Sequence, residues 1–348
     1  MHAAIIGGGF AGAAHASALK SLGIRLRAVV TSREETARAF AEEHGVPVWG
    51  TDPSYAFADE IDTVHICTPP GTHAGYVKAA LLAGKNVFCE KPLSFDVREA
   101  RELAELAEQN GRTCTVTYNV RYHQAVQRAR ELIRGGRFGR PLLIHGSYLQ
   151  EFHVLPVKYD WRYDPEQSGD MRAVTEIGSH WIDTAQYISG RKVTSVSASF
   201  AAFWPERNLV NGIMEKAAPG DGAQKIHVDS EDAACITFRY EDGAMGSVML
   251  SEISPGRGNR LAIEITCEDG NLWWNEEENN VLHTAVRGEG IRSEIFAFGN
   301  GFNDTFVSLM KNFYEGRDYP TFREGAQIVE VCEAIRTSAE NGSAWTEV

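Results

Sequence analysis

No apolar run in the sequence approaches the ~18 residues needed to cross a bilayer, so no transmembrane segment is expected. The apolar segment AAIIGGG begins almost at once, with no basic stretch or small-residue cleavage site before it. The expectation is therefore a cytoplasmic protein without a signal peptide. Paired cysteines are also missing: Cys67, Cys89, Cys114, Cys235, Cys267 and Cys332 are scattered, mostly within apolar runs. That spacing suits core thiols in a reducing compartment, without disulfides and without a metal site. Positive charge is scarce, with 34 Lys and Arg against 47 Asp and Glu and a net charge of −13. This balance argues against nucleic acid or an anionic membrane as partner. Neither a G-x-S-x-G elbow nor a cluster of metal ligands occurs, which sets aside nucleophilic and metal-dependent hydrolysis.

What is present suits a soluble globular chain of two domains, with 348 residues, 43% hydrophobic and 23% charged. Up to about residue 120, apolar strands alternate with helical patterns: HAAIIGG, RLRAVVTS, DTVHICTPP, NVFCEKP and TCTVTYN are separated by amphipathic stretches. Such alternation predicts a parallel sheet covered by helices on both faces. Beyond residue 120 come longer strands such as PLLIHGSYLQ, KVTSVSASFAAF, EDAACITFRYEDG and RLAIEITCEDGNLWWN, with turns that suit antiparallel pairing. Helices are predicted near 172–189, 302–315 and 323–341, and the stretch near 205–228 reads as an excursion or flap. The fold class is thus α/β: residues 1–120 form a domain around a parallel sheet, and residues 121–348 an α+β domain with a large, mostly antiparallel open sheet.

Between the first strand and the first helix, GGGFAG supplies G-x-G-x-x-G as Gly7, Gly9 and Gly12, with Phe10 and Ala11 inside the cradle. Gly7 permits a tight turn, Gly9 lets the backbone approach a pyrophosphate, and Gly12 lets helix and strand pack closely. The helix N-terminus then faces the phosphates. An NAD site usually has an acid at the end of its second strand; here stand Thr31, Ser32 and Arg33. Hydroxyls and a guanidinium suit a 2′-phosphate, so NADP is preferred over NAD. The structural alternative is a helix N-cap at Ser32 beside a solvated arginine.

Two further segments carry charge in apolar surroundings. NVFCEKP ends a strand with Glu90, Lys91 and Pro92, and TEIGSHWIDTAQYIS places Glu176, His180, Asp183 and Tyr187 in one narrow helical stripe. Ile177, Trp181, Ala185 and Ile188 form the neighbouring apolar stripe. With Ser179 as N-cap, Glu176 would lie just ahead of the helix.

Taken in order, GGGFAGAAH, CTPPGTH, CEKP, YNVRY, DWR and EIGSHWID resemble the glucose–fructose oxidoreductase/inositol dehydrogenase (Gfo/Idh/MocA) family over nearly the whole chain. The resemblance implies a Rossmann domain and an open-sheet domain, with a carbohydrate substrate bound between them above the nicotinamide. It maps onto Lys91 the lysine that touches both cofactor and reacting hydroxyl, and onto His180 the histidine that assists proton transfer. Glu176 stands where the family usually has an aspartate. Glu90 orients the lysine and cofactor, while Thr68, Pro69 and His73 line the cofactor loop. Asn119 and Arg121 would face nicotinamide and substrate, and Trp161 and Arg162 match a W-R pair that reaches towards the cofactor. Asp183 is a substrate-binding or His180-orienting candidate. Tyr122, Gln150, His153 and Tyr159 are further cleft candidates.

The reaction so implied is hydride transfer between NADP or NAD and a secondary alcohol or ketone of a sugar, sugar derivative, glycoside or inositol. Redox-assisted glycoside cleavage through a transient keto-sugar would use the same residues plus a further base. A non-catalytic dinucleotide sensor would have no need of Lys91 and His180. The second domain has too few helices to cover both faces of its sheet, and SVSASFAAF alternates serine with small and aromatic residues. A homodimer, or a homotetramer built from dimers, with the sheet face at the interface is expected.

Overall fold

The computed structural model describes residues 1–217, 224–298 and 300–348. The chain forms two compact units, the first comprising Met1–Tyr122 and Asn300–Val329, the second His123–Gly299 and Glu330–Val348. The division anticipated near residue 120 lies next to the first boundary. The return of residues 300–329 to the first unit has no counterpart in the local sequence pattern.

In the first unit the strands are β1 (His2–Ile6), β2 (Arg25–Val30), β3 (Val48–Gly50), β4 (Thr63–Ile66), β5 (Asn86–Cys89) and β6 (Cys114–Val116). They alternate with α1 (Phe10–Ser21), α2 (Glu34–His44), α3 (His73–Leu82) and α4 (Val97–Gln109). All neighbours pair in parallel, in the order β3-β2-β1-β4-β5-β6. The order reverses between β1 and β4, the place where doubly wound sheets bind ligands at their carboxyl ends. Burial on both faces explains the unbroken apolar strands, such as the fully buried Val64 and Ile66 of β4. α4 starts where the Asp96 carboxylate accepts from the Glu99 N–H, and it buries Ala100, Leu103, Ala104 and Ala107 at helical spacing. The returning helix Phe302–Tyr314 adds Phe306, Leu309, Met310 and Phe313 to a core shared with Ala14, Ala18, Leu19 and Phe88.

The second unit starts with α5 (Gln124–Arg134), β7 (Pro141–Leu149), β8 (Val157–Lys158) and α6 (Pro165–Ser168). A π-helical turn, Val174–Gly178, then runs directly into α7 (Ser179–Ser189). Ser179 has helical dihedrals of −57° and −39° and its hydroxyl donates to the Thr175 carbonyl, so it is not the N-cap. Glu176 therefore lies inside the helical course rather than before it. The remaining strands are β9 (Val193–Ala201), β10 (Glu206–Val210), β11 (Ile213–Lys216), β12 (Gln224–His227), β13 (Ala233–Tyr240), β14 (Met245–Ser251), β15 (Arg260–Cys267), β16 (Gly270–Asn275), β17 (Val281–Val286), β18 (Gly290–Ile295) and β19 (Thr346–Glu347).

Eight of them join β7 in one nine-stranded sheet, β18-β17-β16-β15-β7-β14-β13-β9-β19, antiparallel except for the β7–β14 pair. Burial alternates along β13 and β15 with a period of two, as one covered face requires. On that face Trp181 of α7 stacks on Phe238 and donates to the Ala262 carbonyl. The other face exposes Leu143 opposite Met245, and Cys235 opposite Met249. Cys235 is thus an exception to the expectation of core thiols; the other five cysteines are buried. The excursion near 205–228 is itself β-structure, a small sheet β12-β10-β11-β8, with 218–223 outside the described residues. Among the described residues no helix is long and apolar enough to cross a membrane.

Candidate active site

In the first unit the site residues gather at the carboxyl ends of β1, β2, β4 and β5. Gly7 has φ +105°, and a Cβ there would lie 2.5 Å from the Cys67 carbonyl oxygen. At Gly12 a Cβ would lie 2.1 Å from the Gly7 carbonyl oxygen. Both glycines are demanded by the fold itself. Gly9 is different: a Cβ would meet nothing within 4 Å, so no protein contact calls for glycine. Gly9 is the N-cap of α1, without a side-chain cap and with no acid in the first turn. The open space before these backbone N–H groups fits a pyrophosphate. Phe10 is exposed and Ala11 half-buried beside it.

Beyond β2, Thr31 is held by its hydroxyl contacts to Thr36 and the Arg33 carbonyl, while Ser32 and Arg33 are exposed. The N-cap position of α2 belongs to Arg33, not Ser32. After β4, the Thr72 hydroxyl donates to that of Thr68 at 2.7 Å, and Pro69 precedes a short 3₁₀ turn. His73 is fully buried, with Nδ1 2.7 Å from the Pro92 carbonyl and Nε2 2.9 Å from that of Thr68. Burial lowers its pKa, so as a neutral ring it donates to one of the two carbonyls. The ring is packed between the Thr68 loop and the Glu90–Pro92 turn.

At the end of β5, Glu90 Oε1 lies 2.9 Å from His15 Nε2. Burial acts to raise the Glu90 pKa, but the His15 bond and the charge of Lys91 outweigh it and leave the carboxyl below its ordinary value. Lys91 follows, half-buried. Asn119, Arg121 and Tyr122 lie beyond β6, where their polar groups reach the returning segment. Asn119 donates to the Thr305 hydroxyl, Arg121 pairs with Glu324 at 2.9 Å, and the Tyr122 hydroxyl donates to the Asp318 carbonyl.

In the second unit, the turn carrying Glu176 meets the W-R segment. Arg162 Nε lies 3.0 Å from Glu176 Oε1, and its guanidinium also pairs with Asp160 and lies over the Trp161 ring. His153 Nε2 stands 4.0 Å from Glu176 and 3.9 Å from Glu252, and its Nδ1 side bonds the Tyr163 hydroxyl. Glu176 and His180 are half-buried, whereas Asp183 and Tyr187 further along the stripe are buried. Tyr159 is exposed and stacks on Tyr163, while Gln150 donates to Asn259.

Beneath this group lies a charge network that sequence reasoning missed. Arg172 Nε lies 2.7 Å from Glu252, its Nη2 is 2.5 Å from Asp232, and Arg207 reaches the same Asp232 oxygen at 3.0 Å. Glu231 accepts from the backbone N–H groups of Arg172 and Val174, which anchors the start of the π turn. Arg172, Arg207, Asp232 and Glu252 are all completely buried. Burial, reinforced by the Glu176 charge and opposed by Arg172, pushes the Glu252 pKa up to about 8. Burial together with Arg172, Arg162 and Arg207 brings His153 down to about 2, so its ring is neutral. Ligand atoms of His153, Glu176 and Glu252 lie within 4.8 Å of one another, a spacing a divalent cation could bridge. Arg162 and Arg172 already compensate the two carboxylates.

Residues 1–118 match the oxidoreductase family with an NAD-binding Rossmann fold (GFO/IDH/MocA), and residues 126–273 match the GFO/IDH/MocA C-terminal domain. Levoglucosan dehydrogenase from Pseudarthrobacter phenanthrenivorans is 29% identical, over 100% of this chain and 98% of its own. scyllo-Inositol 2-dehydrogenase (NAD+) from Bacillus subtilis is 28% identical over 90% of this chain and 84% of its own. A solved structure of levoglucosan dehydrogenase with NADH and L-sorbose superposes with a TM-score of 0.92, at 28% identity, covering 100% of this chain and 98% of that one.

Proposed function

The chain belongs to the Gfo/Idh/MocA oxidoreductase family, and on that premise we propose that it is an NADP- or NAD-dependent dehydrogenase of a sugar or cyclic polyol. The supporting observation is the topology of the first unit: the Gly7–Gly12 cradle, the Thr68 loop and Lys91 all follow strands beside the reversal of strand order. The nicotinamide supplies a hydride acceptor for the carbinol carbon of the substrate. As that C–H bond breaks, the alcohol must also lose its O–H proton. The Lys91 Nζ amine accepts it, and its positive charge stabilises the developing alkoxide oxygen. Glu90, held by His15, orients Lys91. The His180 imidazole offers a hydrogen bond to a substrate oxygen, and Arg162 holds Glu176 one helical turn earlier. The Glu176 carboxylate is longer than the aspartate expected there, and its pairing with Arg162 makes it a positioning residue for substrate hydroxyls.

Levoglucosan, inositol and xylose dehydrogenases among the relatives support a cyclic, multiply hydroxylated substrate. A relative named D-xylose 1-dehydrogenase [NADP(+)], 30% identical over half of this chain, is consistent with the NADP preference read from Ser32 and Arg33. The mixed apolar and polar outer face of the nine-stranded sheet supports a homodimer or a homotetramer of dimers. The buried free thiols suit a reducing cytoplasm. Purified protein mixed with NADP or NAD and a panel of anhydrosugars, aldoses and inositols tests the reading. Reduced nicotinamide should form with at least one of them and fall strongly in His180→Ala at retained fold. Aglycone release from a glycoside without net reduced cofactor would instead identify redox-assisted cleavage.

A further inference from the structure

Glu90 is joined to a line of polar side chains through the core of the first unit that the reaction, as described, leaves unused. His15 Nε2 lies 2.9 Å from Glu90 Oε1, His15 Nδ1 lies 2.9 Å from His65 Nδ1, and His65 Nε2 lies 2.7 Å from the Tyr314 hydroxyl. His15 on α1 and His65 on β4 are completely buried, packed against Phe88 and Phe306; Tyr314, at the end of the returning helix, is partly exposed. Two imidazoles in such a core are costly unless every ring nitrogen is matched.

With both rings neutral, two matched arrangements exist. When Glu90 is ionised, the Tyr314 hydroxyl donates to His65 Nε2, His65 Nδ1–H donates to His15 Nδ1, and His15 Nε2–H donates to Glu90. When Glu90 is protonated, every donation reverses, and Tyr314 accepts from His65 Nε2–H. The second arrangement holds one proton more than the first, and moving one proton along each bond interconverts them. The surplus proton enters or leaves at the Tyr314 hydroxyl.

We propose that Tyr314, His65 and His15 form a proton path between solvent and Glu90 that serves Lys91, a role that rests on the dehydrogenase reading. During oxidation the substrate O–H proton passes to the Lys91 amine, then to Glu90, and one proton leaves at Tyr314. The C–H electron pair departs separately with the hydride, so no electrons travel along the path. Reduction runs the same steps backwards.

The neighbouring groups agree with this assignment. Burial above all holds His65 well below the ordinary histidine range, as a neutral relay requires. Lys91 and His73 face Glu90, as do the thiols of Cys67 and Cys89. Burial keeps His73 and both thiols uncharged, leaving Lys91 as the exchange partner. At the outer end burial raises the Tyr314 pKa, so its hydroxyl stays protonated; the Thr63 hydroxyl bonds it, and the charge of the exposed Asp62 acts in the same sense as burial.

The test is Tyr314→Phe, which removes one hydroxyl three hydrogen bonds from Glu90. Sugar oxidation should slow by about tenfold, less than the full loss of a general acid–base group, with a larger solvent deuterium isotope effect on kcat and unchanged NADH affinity. His15→Gln keeps a donor for Glu90 but ends the line there, and should show the same kinetic signature. Wild-type kcat and isotope effect in both variants would overturn the path. Nitrogen NMR of the labelled rings reads the path without turnover. Neutral pH should show His15 protonated at Nε2 and His65 at Nδ1, with both patterns disturbed in Tyr314→Phe; opposite tautomers, indifferent to Tyr314, would overturn it. A wild-type protein that oxidises no sugar while showing the expected tautomers would refute the dehydrogenase reading and leave the path standing.

Discussion

Gly9→Ala separates what the fold needs from what a dinucleotide needs. The backbone at Gly9 has φ −82° and ψ −161°, an extended conformation open to alanine, and its Cβ would have no neighbour within 4 Å. Lower unfolded-state entropy favours alanine by roughly 0.4–1 kcal/mol, while alanine is the poorer N-cap by a similar amount. The net change should stay within about 1 kcal/mol, or about 2–4 °C in Tm for a unit of this size. The added methyl group nonetheless occupies the space before the N-terminus of α1. Displacing a pyrophosphate from one or two backbone N–H donors costs about 1.5–3 kcal/mol for each bond to a charged group, so affinity should fall at least roughly tenfold. Gly12→Ala is the contrast, because its Cβ would sit 2.1 Å from a backbone oxygen that cannot swing aside. That variant should lose about 1–3 kcal/mol of stability as well as binding. Titration with NADH and NADPH by fluorescence, beside thermal unfolding, reads both quantities. Wild-type affinity in Gly9→Ala, or a Tm loss equal to that of Gly12→Ala, would refute the reasoning.

Arg33→Ala should weaken NADPH binding by about tenfold or more, the scale of a charge-assisted phosphate contact, and leave NADH nearly untouched; equal losses would place the guanidinium on a shared part of the cofactor. Glu252 is raised in the folded state, so its contribution to stability is present below the ordinary glutamate range and is lost as pH rises towards about 8. His153, lowered to about 2, acts in the opposite sense but is spent above the ordinary histidine range. Urea denaturation should therefore show wild-type stability falling between about pH 6.5 and 8 and levelling above, with a flatter profile for Glu252→Gln; parallel profiles would refute the assignment. Light scattering at micromolar concentration should give a dimer or tetramer, and Met249→Asp on the outer sheet face should shift it towards monomer; a monomeric wild type would refute the interface.

The glycine turn between β1 and α1 was legible because its signals are local. Gly7, Gly9 and Gly12 lie within one turn, and the strand–helix alternation around them has a period that short windows capture. Lys91 was legible for the same reason, as a charged pair ending an apolar strand. The network of Arg172, Arg207, Glu231, Asp232 and Glu252 was not, because its members come from distant segments and look like ordinary surface charges until the nine-stranded sheet buries them. The helix Phe302–Tyr314 was foreseen as a helix, yet its apolar face does not say which unit it covers. Ser179 looked like a cap because serine favours that position, but the π turn before it already supplies the preceding backbone partners. His15 and His65 carried no signal in separate strand and helix patterns, and only their 2.9 Å approach joins them to Glu90.

The central claim is that Lys91 exchanges a proton with a sugar hydroxyl while hydride passes to a bound nicotinamide. Its most direct test is single-turnover formation of reduced cofactor by Lys91→Met, with any sugar that the wild-type protein oxidises. The account predicts a rate roughly 10²–10⁴-fold lower, the range for a general acid–base group, at unchanged cofactor affinity. Near-wild-type hydride transfer in that variant would contradict it.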